Sequence, residues 1–158
     1  MRTKILFFKD GPLSHWYMCK FIVSGVSYNC VEQYMMAEKA RLFGDRKAEE
    51  KIINSCEPSE QKLIGRTIMG FDDKLWISKS RDIVYKANKA KFTQNRDLMQ
   101  VLLGTKDKYL AEASTDKRWG IGLEENLARK IDRTQWPGTN WCGEILMRVR
   151  KELRGKAA

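Results

Sequence analysis

Between Leu110 and Gly122 the chain reads LAEASTDKRWGIG, which sets Asp116, Trp119, Gly120 and Gly122 within one short stretch. Glycine admits positive φ and lets backbone come close to a ligand, tryptophan offers a flat stacking face, and a carboxylate beside such a platform can accept a hydroxyl or steer a water. A second cluster lies earlier, in VEQYMMAEK from Val31 to Lys39. There Val31, Tyr34, Met35 and Leu42 share one helical face, and Glu32, Met36, Lys39 and Phe43 share its neighbour. A carboxylate and an ammonium two turns apart, with a methionine between them, suit the wall of a pocket; from spacing alone a surface helix with solvated charges is the commoner reading.

These residues must be positioned by a chain of 158 residues, long enough for one domain with a real core. Hydrophobic residues make up 42% and aromatics 10%, which excludes disorder, and 30 basic against 20 acidic residues give a net charge of +10. The excess favours anionic partners, either phosphate-bearing small molecules or nucleic acid. Cys19, Cys30, Cys56 and Cys142 form no CxxC pair and His15 is the single histidine, so no metal site is expected and the thiols read as free in a reducing compartment. The apolar run near the N-terminus is short for a signal peptide, and no stretch reaches the ~20 apolar residues of a membrane span. The expectation is a soluble, cytoplasmic protein that does not engage membranes.

The pattern predicts a strand over Lys4–Lys9, a hairpin of Phe21–Val23 and Val26–Tyr28 turning at Ser24-Gly25, and helices over Val31–Phe43, Asp45–Ile53 and Pro58–Thr67. Asp72–Trp76 reads as a connection or short strand. A longer helix follows over Ser80–Phe92, with Ile83, Ala87 and Ala90 as its core stripe and Lys79, Lys86 and Lys89 on a basic side. A short helix over Arg96–Leu103, a strand and loop over Leu110–Gly122 and a last helix over Trp141–Leu153 complete the chain, and the GKAA tail is expected to fray. The fold class is therefore α+β: a single compact, mostly helical domain over 1–158, its core from about 4 to 153, with a small antiparallel sheet built mainly from the N-terminal third.

The two clusters belong to a longer ordered series. Ser14-His15-Trp16-Tyr17 precedes the hairpin, and Glu32-Gln33-Tyr34 with Lys39 opens the first helix. Gly65-Arg66, Trp76, Lys91-Phe92, Gln94-Asn95 and Leu102-Leu103-Gly104-Thr105 come next. Then come Glu112-Ala113-Ser114, Asp116, Trp119-Gly120-Ile121-Gly122, Gly138, Asn140, Gly143, Leu146, Met147 and Arg150. From about Phe7 to Leu153 this order resembles the YbiA-like family, also called NADAR.

The resemblance implies an N-glycosidase that cuts the bond between ribose C1 and a base or amine nitrogen, without a cofactor. The implied substrates are an ADP-ribosylated guanine on a nucleotide, DNA or RNA, or a phosphoribosylamino-pyrimidine of riboflavin synthesis. The alternative is a non-catalytic module binding ADP-ribose, NAD or nucleic acid. On matched positions, Glu32 and Asp116 are the acids that would stabilise positive charge on the ribose or activate water. Lys39 would bind ribose or phosphate, or attack C1 of the opened sugar as a Schiff-base nucleophile. Trp76 and Trp119 would stack on the base, and Arg66 would clamp a phosphate. Ser14, Tyr34, Asn95 and Gly120 complete the binding set, Tyr34 and Asn95 by ordering it. The chain departs from the family pattern at His15, where asparagine is usual, at Gln33, where histidine is usual, and at Cys142. These departures bear on base recognition more than on the reaction.

Overall fold

The computed structural model describes residues 2–157, which fall into two compact units: residues 15–96, and residues up to 14 together with those from 97 onward. No helix among the described residues is long and apolar enough to cross a membrane.

The 15–96 unit opens on an antiparallel hairpin of β2 (Phe21–Val23) and β3 (Val26–Tyr28); β1 (Ile5–Phe8) belongs to the other unit. Its turn is tight because Ser24 and Gly25 both take positive φ, 50° and 80°. Helix α1 (Val31–Leu42) follows, capped by the Cys30 thiol, which accepts from the Gln33 amide. Helices α2 (Arg46–Ile53) and α3 (Pro58–Gly65) pack on α1, and so does α4 (Asp73–Gln94). Gln33 is buried and donates to the carbonyls of Ile52, Ile53 and Ser55, while its Oε1 accepts from the Asn29 amide at 2.8 Å. That departure from the family pattern thus ties α1 to the end of α2. At the far end of α4, Gln94 clamps both backbone groups of Ile22, at 2.7 and 2.8 Å, and Asn95 donates to the Lys20 and Lys91 carbonyls.

Two expectations for this unit change. Asp72–Trp76 is neither connection nor strand: Asp72 is the cap of α4, its carboxylate accepting from the Leu75 amide at 3.1 Å, so the helix starts two turns before Ser80. The buried stripe of α4 runs through Trp76, Ser80, Val84, Ala87, Asn88 and Lys91. Ile83 and Ala90 lie at its border. Lys91 is fully buried, its ammonium 4.9 Å from the Phe92 ring and 5.6 Å from the Tyr17 ring.

In the other unit β1 pairs in parallel with β4 (Tyr109–Glu112), in register from Ile5↔Tyr109 to Phe8↔Glu112. The N-terminal sheet is therefore antiparallel only at the hairpin; β1 finds its partner about a hundred residues away because consecutive parallel strands need a long crossover. Helix α5 (Arg96–Gly104) precedes β4, and α7 (Trp141–Ala157) packs on it. The small core of Ala111, Ile121 and Ala128 is ringed by Ile5, Phe7, Tyr109, Leu123 and Trp136. Short α6 (Glu125–Ala128) and a 3-10 turn at Arg133–Gln135 were not foreseen, being too brief to show a period. The tail expected to fray continues α7 to Ala157.

Candidate active site

In the 15–96 unit the first turn of α1 carries Glu32, buried, with its amide donating to the His15 carbonyl at 3.1 Å. That bond fixes the Ser14-His15 segment's end to the start of α1. Two turns on, Lys39 sends its ammonium to the carbonyl of Gly65, the last residue of α3, at 2.9 Å. The same nitrogen lies 4.6 Å from the centre of the Phe71 ring and 5.6 Å from that of Trp76. Phe71 is itself propped edge-on against Phe43 at 5.3 Å. A Cβ on Gly65 would run into the Met36 thioether that lies between Glu32 and Lys39 on α1, so that flexible side chain would have to move.

The environment acts on the amine. Burial pushes the Lys39 ammonium below its usual range and the Arg66 charge pushes the same way, while the Glu32 and Asp73 carboxylates oppose them. A lysine so placed carries a larger neutral fraction than a free one at any given pH, which is what a nucleophilic amine requires. His15 is buried too. Burial, with the Lys91 charge second, drives its imidazole down to about 3, so it stays neutral across the physiological range.

The unit brings together Glu32, Lys39, Trp76 and Arg66 from the sequence-derived set. Trp76 is buried and turns toward the Lys39 ammonium, and Arg66 caps α3 one residue beyond the carbonyl that holds Lys39. Tyr34 instead belongs to an aromatic cluster, edge-on to Tyr28 at 4.9 Å and tilted to Phe21 at 6.3 Å. It supports α1 against the hairpin. Asn95 orders the end of α4, as its hydrogen bonds show. Phe71 and Asp73 went unnoticed in the sequence. The signal available was the turn glycine Gly70, at φ 77°, delivering an aromatic and two acids just before a helix.

The remaining candidates lie in the other unit. The Asp116 carboxylate accepts from the amides of Arg118 and Trp119, both at 2.8 Å, and so shapes the turn that presents the tryptophan. Trp119 packs edge-on against Trp141 at 5.3 Å. Gly120 sits where a Cβ would fall 2.9 Å from the Ser114 side chain and 3.0 Å from the Asp116 carbonyl oxygen. Its carbonyl takes the Asn140 amide at 2.9 Å. Asn140, in the left-handed region at φ 53°, gives its side chain to β4, accepting from the Glu112 amide and donating to the Leu110 carbonyl. Gly138 lies against the Gly120–Gly122 backbone with no room for a side chain. Ser14 is buried, its amide on the Gly11 carbonyl at 2.9 Å. No group of three or more His, Cys, Asp or Glu side chains is placed to hold a metal ion among the described residues.

Comparison with known proteins places this arrangement. The protein irg-1 of Caenorhabditis elegans is 44% identical over 131 residues, 81% of this chain and 62% of that protein. An N-glycosidase of Acanthamoeba polyphaga mimivirus is 44% identical over 126 residues, 79% of this chain and 74% of the viral protein. The chain thus spans less than two thirds of the worm relative's length. Further relatives in Vibrio vulnificus and in plants carry the name riboflavin biosynthesis protein. The NMR structure of Escherichia coli YbiA superposes with a TM-score of 0.81 at 28% identity, covering 99% of this chain and 89% of that one. The NADAR domain model matches residues 6–154, and the chain belongs to the NADAR domain family.

Proposed function

We propose that the chain is an N-glycosidase hydrolysing the ribose C1–N bond of an ADP-ribosylated guanine, or of a phosphoribosylamino-pyrimidine. The observation that carries this reading is Lys39: an amine half-withdrawn from water, walled by Phe71 and Trp76, on one helix face with the buried carboxylate of Glu32. The names of the relatives, N-glycosidase in the mimivirus and riboflavin biosynthesis protein in Vibrio, support the reaction class. Breaking an N-glycosidic bond loads positive charge onto C1 and the ring oxygen. Glu32 would stabilise that charge and align water for attack. In the covalent route, the neutral Lys39 amine adds to C1 of the ring-opened sugar, the base nitrogen leaves with a proton, and water then releases the sugar and regenerates the amine. The aromatic pair beside Lys39 suits a stacked base or a sugar face. A module that only binds would not need an amine whose charged form is disfavoured by burial.

The test is incubation with both substrate classes, ADP-ribosylated DNA and a phosphoribosylamino-pyrimidine, followed by mass analysis of the released sugar phosphate. Release from either supports the glycosidase, and release from one assigns the substrate. Tight binding of both without any release would replace the enzyme by a binding module. The rate on modified DNA should fall steeply with salt, with a log–log slope of about −0.7 to −0.9 per phosphate contacted, whereas the small substrate should show a shallow dependence.

A further inference from the structure

A cleft of about 570 Å³ lies wholly within the unit formed by the first 14 residues and those from 97 onward, and none of the candidate catalytic groups lines it. Its walls combine two kinds of side chain. Arg2, Arg129 and Arg133 supply three guanidiniums, and Phe7 and Trp136 supply aromatic surface. Two of the guanidiniums sit over rings: Arg129 is 4.9 Å from the centre of Phe7, and Arg133 is 4.1 Å from that of Tyr109. The rings are fixed in turn. Trp136 is tilted against Phe7 at 5.6 Å and against Tyr109 at 6.4 Å, and its indole N–H donates to the Ala128 carbonyl at 3.2 Å.

Positive charge exceeds negative in the lining: three guanidiniums face one carboxylate, Asp132, which caps the 3-10 turn by accepting from the Thr134 amide and hydroxyl and also lies in the field of Arg2 and Arg133. Arg129 pairs with Glu125 across solvent, a contact of little energetic weight. Neither Arg2 nor Arg133 is in a salt bridge among the described residues. Preoriented guanidiniums bind phosphate oxygens in pairs, and arginine and tryptophan faces stack on bases.

We infer that this cleft binds a nucleoside phosphate, its base stacked on the Trp136–Phe7 wall and its phosphate held by Arg2 and Arg133. The inference is independent of the chemistry assigned to Glu32 and Lys39. The ligand chemistry is shared by a free nucleotide and by one unit of a single-stranded nucleic acid.

Titration calorimetry of the full chain with AMP, with a short single-stranded oligonucleotide and with inorganic phosphate tests it. AMP or the oligonucleotide should bind, phosphate at least tenfold more weakly, and Arg133→Gln and Arg2→Gln should each weaken binding about tenfold with the thermal midpoint unchanged. Both arginines are exposed, and Arg2 precedes β1, so these variants keep the fold. An oligonucleotide that binds tenfold tighter than AMP, with the difference removed by the arginine variants, identifies a nucleic-acid strand as the occupant. AMP binding with no gain from the oligonucleotide identifies a free nucleotide. Binding that is equal in wild type and both variants, or as tight for phosphate as for AMP, or absent for every probe, overturns the inference. Lys39→Gln run in parallel separates nucleotide taken at the Glu32–Lys39 site, where that change would weaken binding and the arginine changes would leave it untouched.

Discussion

Replacing His15 by asparagine should remove a large part of the chain's acid sensitivity. The folded imidazole titrates at about 3 against 6.5 for the unfolded chain, with burial the main cause and Lys91 the second. A histidine depressed in this way gives the native state stability that is fully present above the unfolded pKa. That stability drains away as pH falls, because the unfolded chain takes up a proton that the folded one refuses. Integrating between these two values, the wild type should lose about 2 kcal/mol by pH 5 and about 3 kcal/mol by pH 4 from this residue alone. Asparagine has no such titration and can keep a polar group in the site, while the backbone carbonyl that takes the Glu32 amide stays in place. Urea unfolding of both proteins near pH 7.5 and pH 5 measures the difference. The variant should show the smaller drop, by about 2 kcal/mol, with unchanged slopes. Midpoints that move in parallel in the two proteins would refute the claim that His15 is held neutral by its surroundings.

Three further outcomes follow from the geometry. Glu32→Gln, which keeps the shape and loses the charge, should cut turnover on the order of a hundredfold with little change in substrate affinity, measured by single-turnover kinetics; near-normal turnover removes Glu32 from the mechanism. Borohydride added during turnover should trap a sugar adduct on Lys39, and the yield should rise with pH earlier than for an ordinary lysine, because burial lowers the pKa of this amine; an active Lys39→Arg variant with no adduct in the wild type leaves Lys39 an anion-binding role. Gly138→Ala would drive a methyl into the Gly120–Gly122 backbone, which cannot step aside, and should cost about 3 kcal/mol or more in denaturant unfolding; a cost below about 1 kcal/mol would mean that this loop pair yields.

How far the sequence anticipated this molecule depended on the range of the forces involved. Local signals carried well. Ser24-Gly25 set the hairpin to the residue, and the apolar period of α1 put Glu32, Met36 and Lys39 on one face as found. What failed was non-local or weakly periodic. Nothing in KILFFK specifies a parallel partner at Tyr109, since strand pairing is decided by what the rest of the chain brings alongside. The start of α4 was missed because Asp73, Lys74 and Leu75 all face solvent, leaving the Asp72 cap as the signal. The burial of Lys91 was not legible, because composition does not reveal burial. At the site, side-chain types pointed to Glu32 and Lys39. The surroundings of the lysine, the Phe71 ring and the Gly65 carbonyl, come from other helices and loops and became visible only in three dimensions.

The parallel pairing of β1 with β4 also has a consequence for the order in which the molecule is made. Residues 15–96 form a continuous unit that is complete when its own last helix has been synthesised. The other unit is interrupted. Its first strand leaves the ribosome before the inserted segment and must wait, edges unpaired, while the whole of that segment is translated before Tyr109–Glu112 appears. Closing so long a loop costs entropy that no contact repays until the strands meet. At ordinary rates of elongation the delay lasts on the order of five to twenty seconds. During that interval Ile5–Phe8 is a short apolar segment without a partner, flanked by Lys4 and Lys9, whose charges discourage its pairing with other nascent chains.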